Sequence, residues 1–252
     1  KIAGFEPLFP STPGKEELER QFGLDRWYVA NVAEDADIDV AARTLAESNK
    51  VSLVEYDIKM KLATDGLTFP YEGPVTAPAT RAAMSDLGFN DPLIAEQWNY
   101  YNLGDLSIAS SAYAGADINI KDTWKTLTAG DPSVIVAVVD QGVDYTHPDL
   151  VPNMWVNEAE KNGKPGVDDD GNGYVDDVHG YNFVDGEGDI NYDKSQDFDT
   201  GHGTHCAGII GAVNNNGIGM AGVAGGTGNN DGVRIMSCQI FSKGYGGETR
   251  YS

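Results

Sequence analysis

The sequence predicts an α/β fold, a doubly wound and mainly parallel sheet, preceded by a small α+β domain. Three observations carry that expectation. Val134-Ile135-Val136-Ala137-Val138-Val139 is an unbroken apolar, mostly β-branched run, as suits a strand buried on both faces of a parallel sheet. Gly201-His202-Gly203-Thr204-His205-Cys206-Ala207-Gly208 leads into Ile209-Ile210-Gly211-Ala212-Val213, a helix whose small residues permit close approach to a neighbouring layer. Between these features and the N-terminal part, Gly66, Pro70, Gly73, Pro74, Pro78 and Gly88 gather without apolar periodicity, the composition of an exposed linker. The expected division is residues 1–80, an α+β domain with its linker, and residues 85–252, the larger α/β unit.

Taken in order, Pro7, Pro10, Pro13 and Gly14 break the opening stretch, and Lys15 to Gln21 has helical composition. Trp27 to Val32 then reads as a strand, Ile38 to Ser48 as a helix and Val51 to Leu62 as a second strand. Asp91-Pro92 opens the second unit. Ala114 to Leu127 reads as an amphipathic helix leading to the apolar strand, and Val233 to Phe241 as another core strand.

Bulk properties narrow the function. Seventeen basic residues face 39 acidic ones, a net charge of −22, which repels nucleic-acid phosphates and anionic lipid, so neither is expected as a partner. Carboxylates crowded into one segment instead call for cations. Two cysteines, Cys206 and Cys238, exclude a disulfide framework. No apolar run is long enough for a membrane span, and the start at Lys1 leads us to expect that any export signal has been removed.

The chemistry gathers at two places. Asp140 directly follows the apolar strand, and functional groups of parallel sheets sit beyond the carboxyl ends of strands. A helix cap is its rival role, but Gly142 and Pro148 favour a loop there. His202 opens the small-residue helix, where an imidazole can face a cleft; an acid accepting its Nδ1 proton would fix the tautomer that a general base needs. His202 and His205 with Asp140 also read as a zinc set, against which stands the missing Glu beside the first His and the one-residue-short spacing.

The order Val-Val-Asp-x-Gly-Val-Asp-x-x-His-Pro-Asp-Leu, then Gly-His-Gly-Thr-His-x-Ala-Gly, resembles the subtilisin-like serine peptidases over about residues 90–252. The resemblance implies a secreted or cell-surface serine endopeptidase made as a zymogen, with Asp140 as triad acid and His202 as general base. The family's nucleophile and oxyanion-hole Asn belong to later motifs. None of Ser107, Ser110, Ser111, Ser133, Ser195, Ser237, Ser242 or Ser252 sits in a Gly-x-Ser-x-Gly setting, so the 252 residues are expected to be the inactive N-terminal part of a precursor, completed by the remaining C-terminal part of the peptidase domain. Gly244, Tyr245, Gly246 and Gly247 take the place of the edge on which a protein or peptide substrate pairs as an added strand; an ordinary turn is the alternative. Residues 1 to about 80 resemble the family's propeptide in position, with an independent binding module as the alternative. Cys206 is similar to the cysteine of one branch of the family and is expected to be an inert small hydrophobe.

Calcium is the expected cofactor. Asp168, Asp170, Asn172, Tyr174 and Asp176 place oxygen ligands at alternate positions, with Gly173 at the sharp turn of an EF-hand-type loop; His179 stands where such a loop has its last Glu, leaving Asp177 as a candidate. A solvated acidic loop is the bland alternative. The resemblance implies a second calcium site from Asp91, Asp149, Asn216 and the carbonyls of Asn214, Ile218 and Met220. A non-catalytic, calcium-dependent binding protein on the same fold is the alternative function.

Overall fold

The computed structural model describes residues 2–33, 35–56, 87–104, 113–190, 201–243 and 249–251. The chain divides into two compact units, Lys1–Ala63 and Thr64–Ser252.

In the first unit, strands β1 (Ile2–Pro7) and β2 (Tyr28–Val32) pair antiparallel, and helices α1 (Glu16–Phe22) and α2 (Ile38–Ala46) follow each strand. Pro7 closes β1, a strand of a two-stranded sheet, where a missing N–H costs least. The early prolines had concealed this strand. Asp37 caps α2, its Oδ1 accepting from the N–H of Asp39 at 2.9 Å and Val40 at 3.1 Å. The strand expected from Val51 is not found over Val51–Tyr56, the part that is described; β1 takes the place beside β2, and Ser48 draws the chain into a turn by accepting from Val51 N–H. Residues 57–62 lie outside the described residues.

The second unit is built on a parallel sheet of β3 (Ile135–Asp140), β5 (Arg234–Gln239) and β4 (Gly180–Asn182), in the order β3-β5-β4. Helix α5 (His202–Gly211) packs on one face. Helices α3 (Ile120–Thr126) and α4 (Glu158–Lys161) are short, and β6 (Phe241–Lys243) pairs antiparallel with β7 (Thr249–Tyr251). The parallel sheet with its helix is an incomplete version of the expected α/β layer. Val138, Val143, Leu150, Met154, Ala207, Ala212 and Ile235 form the core between sheet and helix. A second cluster, Leu87, Ile94, Ala95, Tyr100 and Ala221, packs with Trp124.

Two elements differ from expectation. The helix expected from Ala114 begins only at Ile120, because Asp117 captures the backbone first: its Oδ1 accepts from Asn119 N–H and its Oδ2 from Asn102 N–H, both at 2.8 Å. Asn119 then turns the chain at φ 53°. Strand β3 is buried on one face, not both. Val138 faces the core, while Ile135 and Val139 on the opposite face are half exposed. Helix α5 contacts β3 and β5 on the Val138 face, while the alternate side chains of β3 stay half exposed.

Candidate active site and cation loops

Parallel pairing sets Asp140 opposite Gln239 at the carboxyl end of β3, on the face that α5 covers. Gly203 lets the helix come close. A Cβ there would lie 2.2 Å from Gly142 O and 3.3 Å from Asp140 Cβ. Gly142 itself takes φ 104°, a conformation that favours glycine. Thr204 fastens the same contact, its Oγ1 accepting from Asp144 N–H at 2.9 Å.

This approach puts the His202 imidazole on Asp140, with Nδ1 2.8 Å from Oδ2 and 2.9 Å from Oδ1. A carboxylate only accepts, so Nδ1 carries a proton, and in the neutral ring the lone pair is then on Nε2. Gln141 N–H steadies the acid from behind, donating to Oδ1 at 2.7 Å. The His202 side chain is 29% exposed and that of Asp140 13%. The pair is therefore sheltered on the acid side and open on the base side. His205 is exposed, with its N–H bonded to Gly201 O, and it takes no part in the pair. Cys206, one turn after His202, brings Sγ to 3.9 Å from Nδ1. Burial, and then the Asp140 carboxylate, push its thiol pKa up. Both cysteines are free.

Residues 131–251 match the subtilase family. This segment is similar to subtilases, and the family match does not extend over the first half of the chain. Subtilisin-like protease 1 of Plasmodium vivax is 50% identical over 113 residues, which are 44% of this chain and 17% of that protein. Neuroendocrine convertase 2 of Bos taurus is 32% identical over 142 residues, 56% of this chain and 18% of the convertase. The chain thus spans less than one fifth of the length of these curated relatives. Among solved structures, the Aeromonas sobria serine protease in complex with its chaperone aligns at 27% identity and a TM-score of 0.44, over 64% of this chain and 21% of that one.

The acidic loop of this subtilase-like segment is tightly organised. Asp168 Oδ1 accepts from Gly171 N–H at 2.7 Å and Asn172 N–H at 3.1 Å, and Oδ2 from Gly173 N–H at 2.8 Å. These backbone donors, Gly173 first, hold its pKa below the usual carboxylate value. Asn172 Nδ2 donates to Asp170 Oδ2 and Asp177 Oδ2, while its Oδ1 accepts from Tyr174 N–H. Burial pushes the Asp177 pKa up, and the charges of Asp170 and Glu160 add to that.

Glu160 escaped the sequence reading. It is buried, and its carboxylate lies with those of Asp168 and Asp170, their oxygens within 4.8 Å of one another. Its Oε1 accepts from Asp169 and Asp170 N–H and its Oε2 from Asp176 N–H. The only sequence signal is that α4 ends shortly before the loop with an acid on it. Asp176 is expected among the ligands, but its carboxylate turns to Gly166, where Oδ2 accepts from the N–H at 2.7 Å, and the residue takes φ 56°. His179 also points elsewhere, stacked on Tyr145 with Nδ1 2.9 Å from Trp155 O.

At the second expected site the structure brings Asp91, Asp149 and Asn216 together. Both acids are almost fully buried. Asp91 accepts from Asn215 N–H at 2.8 Å and Asn216 N–H at 3.4 Å; Asp149 accepts from Asn216 Nδ2 at 2.7 Å and Met220 N–H at 3.0 Å. Met220 is thereby held beside Asp149 through its N–H. The Asn214 side chain braces the loop, donating to Gly226 O and accepting from Gly222 N–H, and Ile218 is exposed with its N–H on Asn216 Oδ1. Burial raises the pKa of both acids. Gly244, Tyr245, Gly246 and Gly247 lie outside the described residues.

Proposed function

We propose that this chain is the part of a serine endopeptidase precursor that supplies the acid and the base of a Ser-His-Asp triad. The observation that carries this reading is the 2.8 Å contact between His202 Nδ1 and Asp140 Oδ2. In that tautomer Nε2 takes the proton of an attacking serine hydroxyl, Asp140 stabilises the imidazolium, and the proton then passes to the leaving amine. The serine and the oxyanion-hole donors lie outside these 252 residues. In this reading substrate recognition falls to Gly244 to Gly247, and residues 1–80 serve as the propeptide, followed by the peptidase segment from 85 onward. The family match and the relatives named as proteases support the reaction class.

Calcium is the cofactor of this reading. An all-oxygen set with three carboxylates within 4.8 Å suits a hard cation, and Asp168, Asp170 and Glu160 would hold it, with Asn172, Tyr174 and Asp177 beside them. Asp91, Asp149, Asn216 and the carbonyls of Asn214, Ile218 and Met220 would hold a second. The ions would neutralise the acidic loops and brace the segments leading to α5. Their need for calcium fits a protein that works outside the cell or at its surface; no helix among the described residues is long and apolar enough to cross a membrane.

The test is intact-mass analysis after treatment with a serine-reactive fluorophosphonate. The 252-residue polypeptide, 26.9 kDa, should stay unlabelled, and label should appear only on a polypeptide carrying the downstream segment. Label or peptide turnover traced to the 252 residues themselves would overturn the placement of the nucleophile. Deleting residues 1–80 should impair folding of the peptidase; unimpaired folding would make them an independent module instead.

A further inference from the structure

The Asp140–His202 pair has a third neighbour with no part in proton transfer. Cys206 lies one helical turn from His202, so both side chains leave the same face of α5, and Asp140 approaches from the end of β3. A carboxylate oxygen of Asp140, a ring nitrogen of His202 and Sγ of Cys206 all fall within 4.8 Å of one another. We propose that Asp140, His202 and Cys206 form a site for one soft divalent cation, Zn2+ by the donor set, and that binding at His202 Nδ1 switches the base off.

The donors select the metal. One carboxylate, one imidazole and one thiolate are too few oxygens for calcium, while they match the mixed three-ligand sets that hold zinc with an open fourth position. Tetrahedral bonds of about 2.0–2.3 Å separate donor atoms by roughly 3.3–3.6 Å. Nδ1 and Sγ at 3.9 Å must close by a few tenths of an ångström, and Nδ1 and Oδ2 at 2.8 Å must open by about as much. The partial exposure of His202 gives the ion a way in.

The consequence for catalysis lies in the tautomer. Without metal, Nδ1 holds a proton for Asp140 and Nε2 is free to accept one. A cation on the Nδ1 lone pair moves that proton to Nε2, which then has no lone pair for a serine hydroxyl. The thiol loses its proton to solvent and becomes the sulfur ligand. The inference rests on the proposed triad only for what the metal disables. Binding itself is independent of that reading.

The experiment therefore reads binding, on the whole chain with saturating calcium to fill the oxygen sites. Co2+ is the probe and Zn2+ the competitor. One equivalent of Co2+ should produce the near-ultraviolet thiolate charge-transfer absorption, and Zn2+ should abolish it. Cys206→Ser should remove the absorption and weaken Zn2+ binding by more than the about 10–100-fold typical of losing an outer partner. Cys238→Ser and His205→Gln should leave it. Absence of the band in the unaltered chain, or its persistence in Cys206→Ser, overturns the proposal. A second measurement needs no variant: in 15N-histidine-labelled chain, Zn2+ should shift His202 Nδ1 and place the proton on Nε2, and an unmoved Nδ1 resonance overturns it equally. Either failure leaves the peptidase reading intact, because that reading is tested by serine labelling.

Discussion

Asn157 Nδ2 donates to two carboxylates at once, Asp170 Oδ2 at 2.9 Å and Asp177 Oδ1 at 2.8 Å. Its Oδ1 meanwhile caps α4, accepting from Ala159 N–H at 3.2 Å. One buried amide thus ties the helix that carries Glu160 to the acidic loop that Glu160 faces. Asn157→Ala should destabilise the second unit by about 1–3 kcal/mol, the range for a lost cap together with an acceptor left short of its donor. Denaturant unfolding at fixed calcium checks this; a change within a few tenths of a kcal/mol would show that the loop stands without the tie.

Calcium should add to that stability. An ion at one hundred times its Kd stabilises by about 2.7 kcal/mol, which for a unit of this size is a Tm rise of roughly 5–10 °C. Chelation should lower Tm by that amount and added calcium restore it. Glu160→Gln keeps a hydrogen-bonding oxygen and removes a ligand charge, so it should weaken the calcium response, whereas Asp176→Asn should change it little, since that carboxylate faces Gly166. Equal responses in the two variants would count against the arrangement around Glu160.

The buried acids Asp91 and Asp149 set a pH dependence. Burial raises both above 3.8, so folding favours their neutral form. The contribution to stability is fully present below 3.8, the value in the unfolded chain, and is lost as pH rises through the raised folded values. With chelator, Tm should therefore fall with rising pH across that window once the other carboxylates are accounted for by the double variant Asp91→Asn, Asp149→Asn. With calcium, the ion offsets the two charges and the fall should flatten. A wild-type profile that matches the double variant in chelator would contradict this account.

Much of the second unit could be read from the chain because a parallel core strand needs a continuous apolar run, and Val134–Val139 supplies one. Asp140 and His202 were legible for the same reason: each sits at the end of an element whose pattern is strong. What escaped depended on partners distant in sequence. Glu160 belongs to the acidic loop only through the turn after α4, and Asp176 leaves it through a positive φ that an Asp-Asp pair does not announce. The exposed face of β3 could not be read either, since an apolar side chain records a preference for burial and not the presence of a covering layer. Asp117 shortened α3 by a side-chain bond to the backbone that helical periodicity ignores.

The tautomer of His202 gives a direct test of the site. Asp140→Asn can present an NH2 group to Nδ1 in place of an acceptor, which favours the proton on Nε2. Long-range 15N–1H spectra should show Nδ1 protonated in the unaltered chain and the population shifted toward Nε2 in the variant. In an enzyme completed with its serine, the same change should lower kcat by about four orders of magnitude with little effect on KM. An unchanged tautomer would mean that Asp140 does not orient the ring.

Gly203 offers the test of how α5 reaches β3. A methyl group there would lie 2.2 Å from Gly142 O, far inside contact, and the atom it meets is backbone that cannot swing aside. Gly203→Ala must therefore lift the N-terminus of α5 from the Asp140–Gly142 segment, although alanine is the better helix former by about 1 kcal/mol. The clash should win, with a net loss of about 1–3 kcal/mol as for overpacked cores, and the His202–Asp140 hydrogen bond should lengthen or break with it. Thermal unfolding reads the first effect and the His202 Nδ1–H resonance the second. A variant as stable as the parent with that resonance unmoved would show that the helix does not depend on this glycine for its approach.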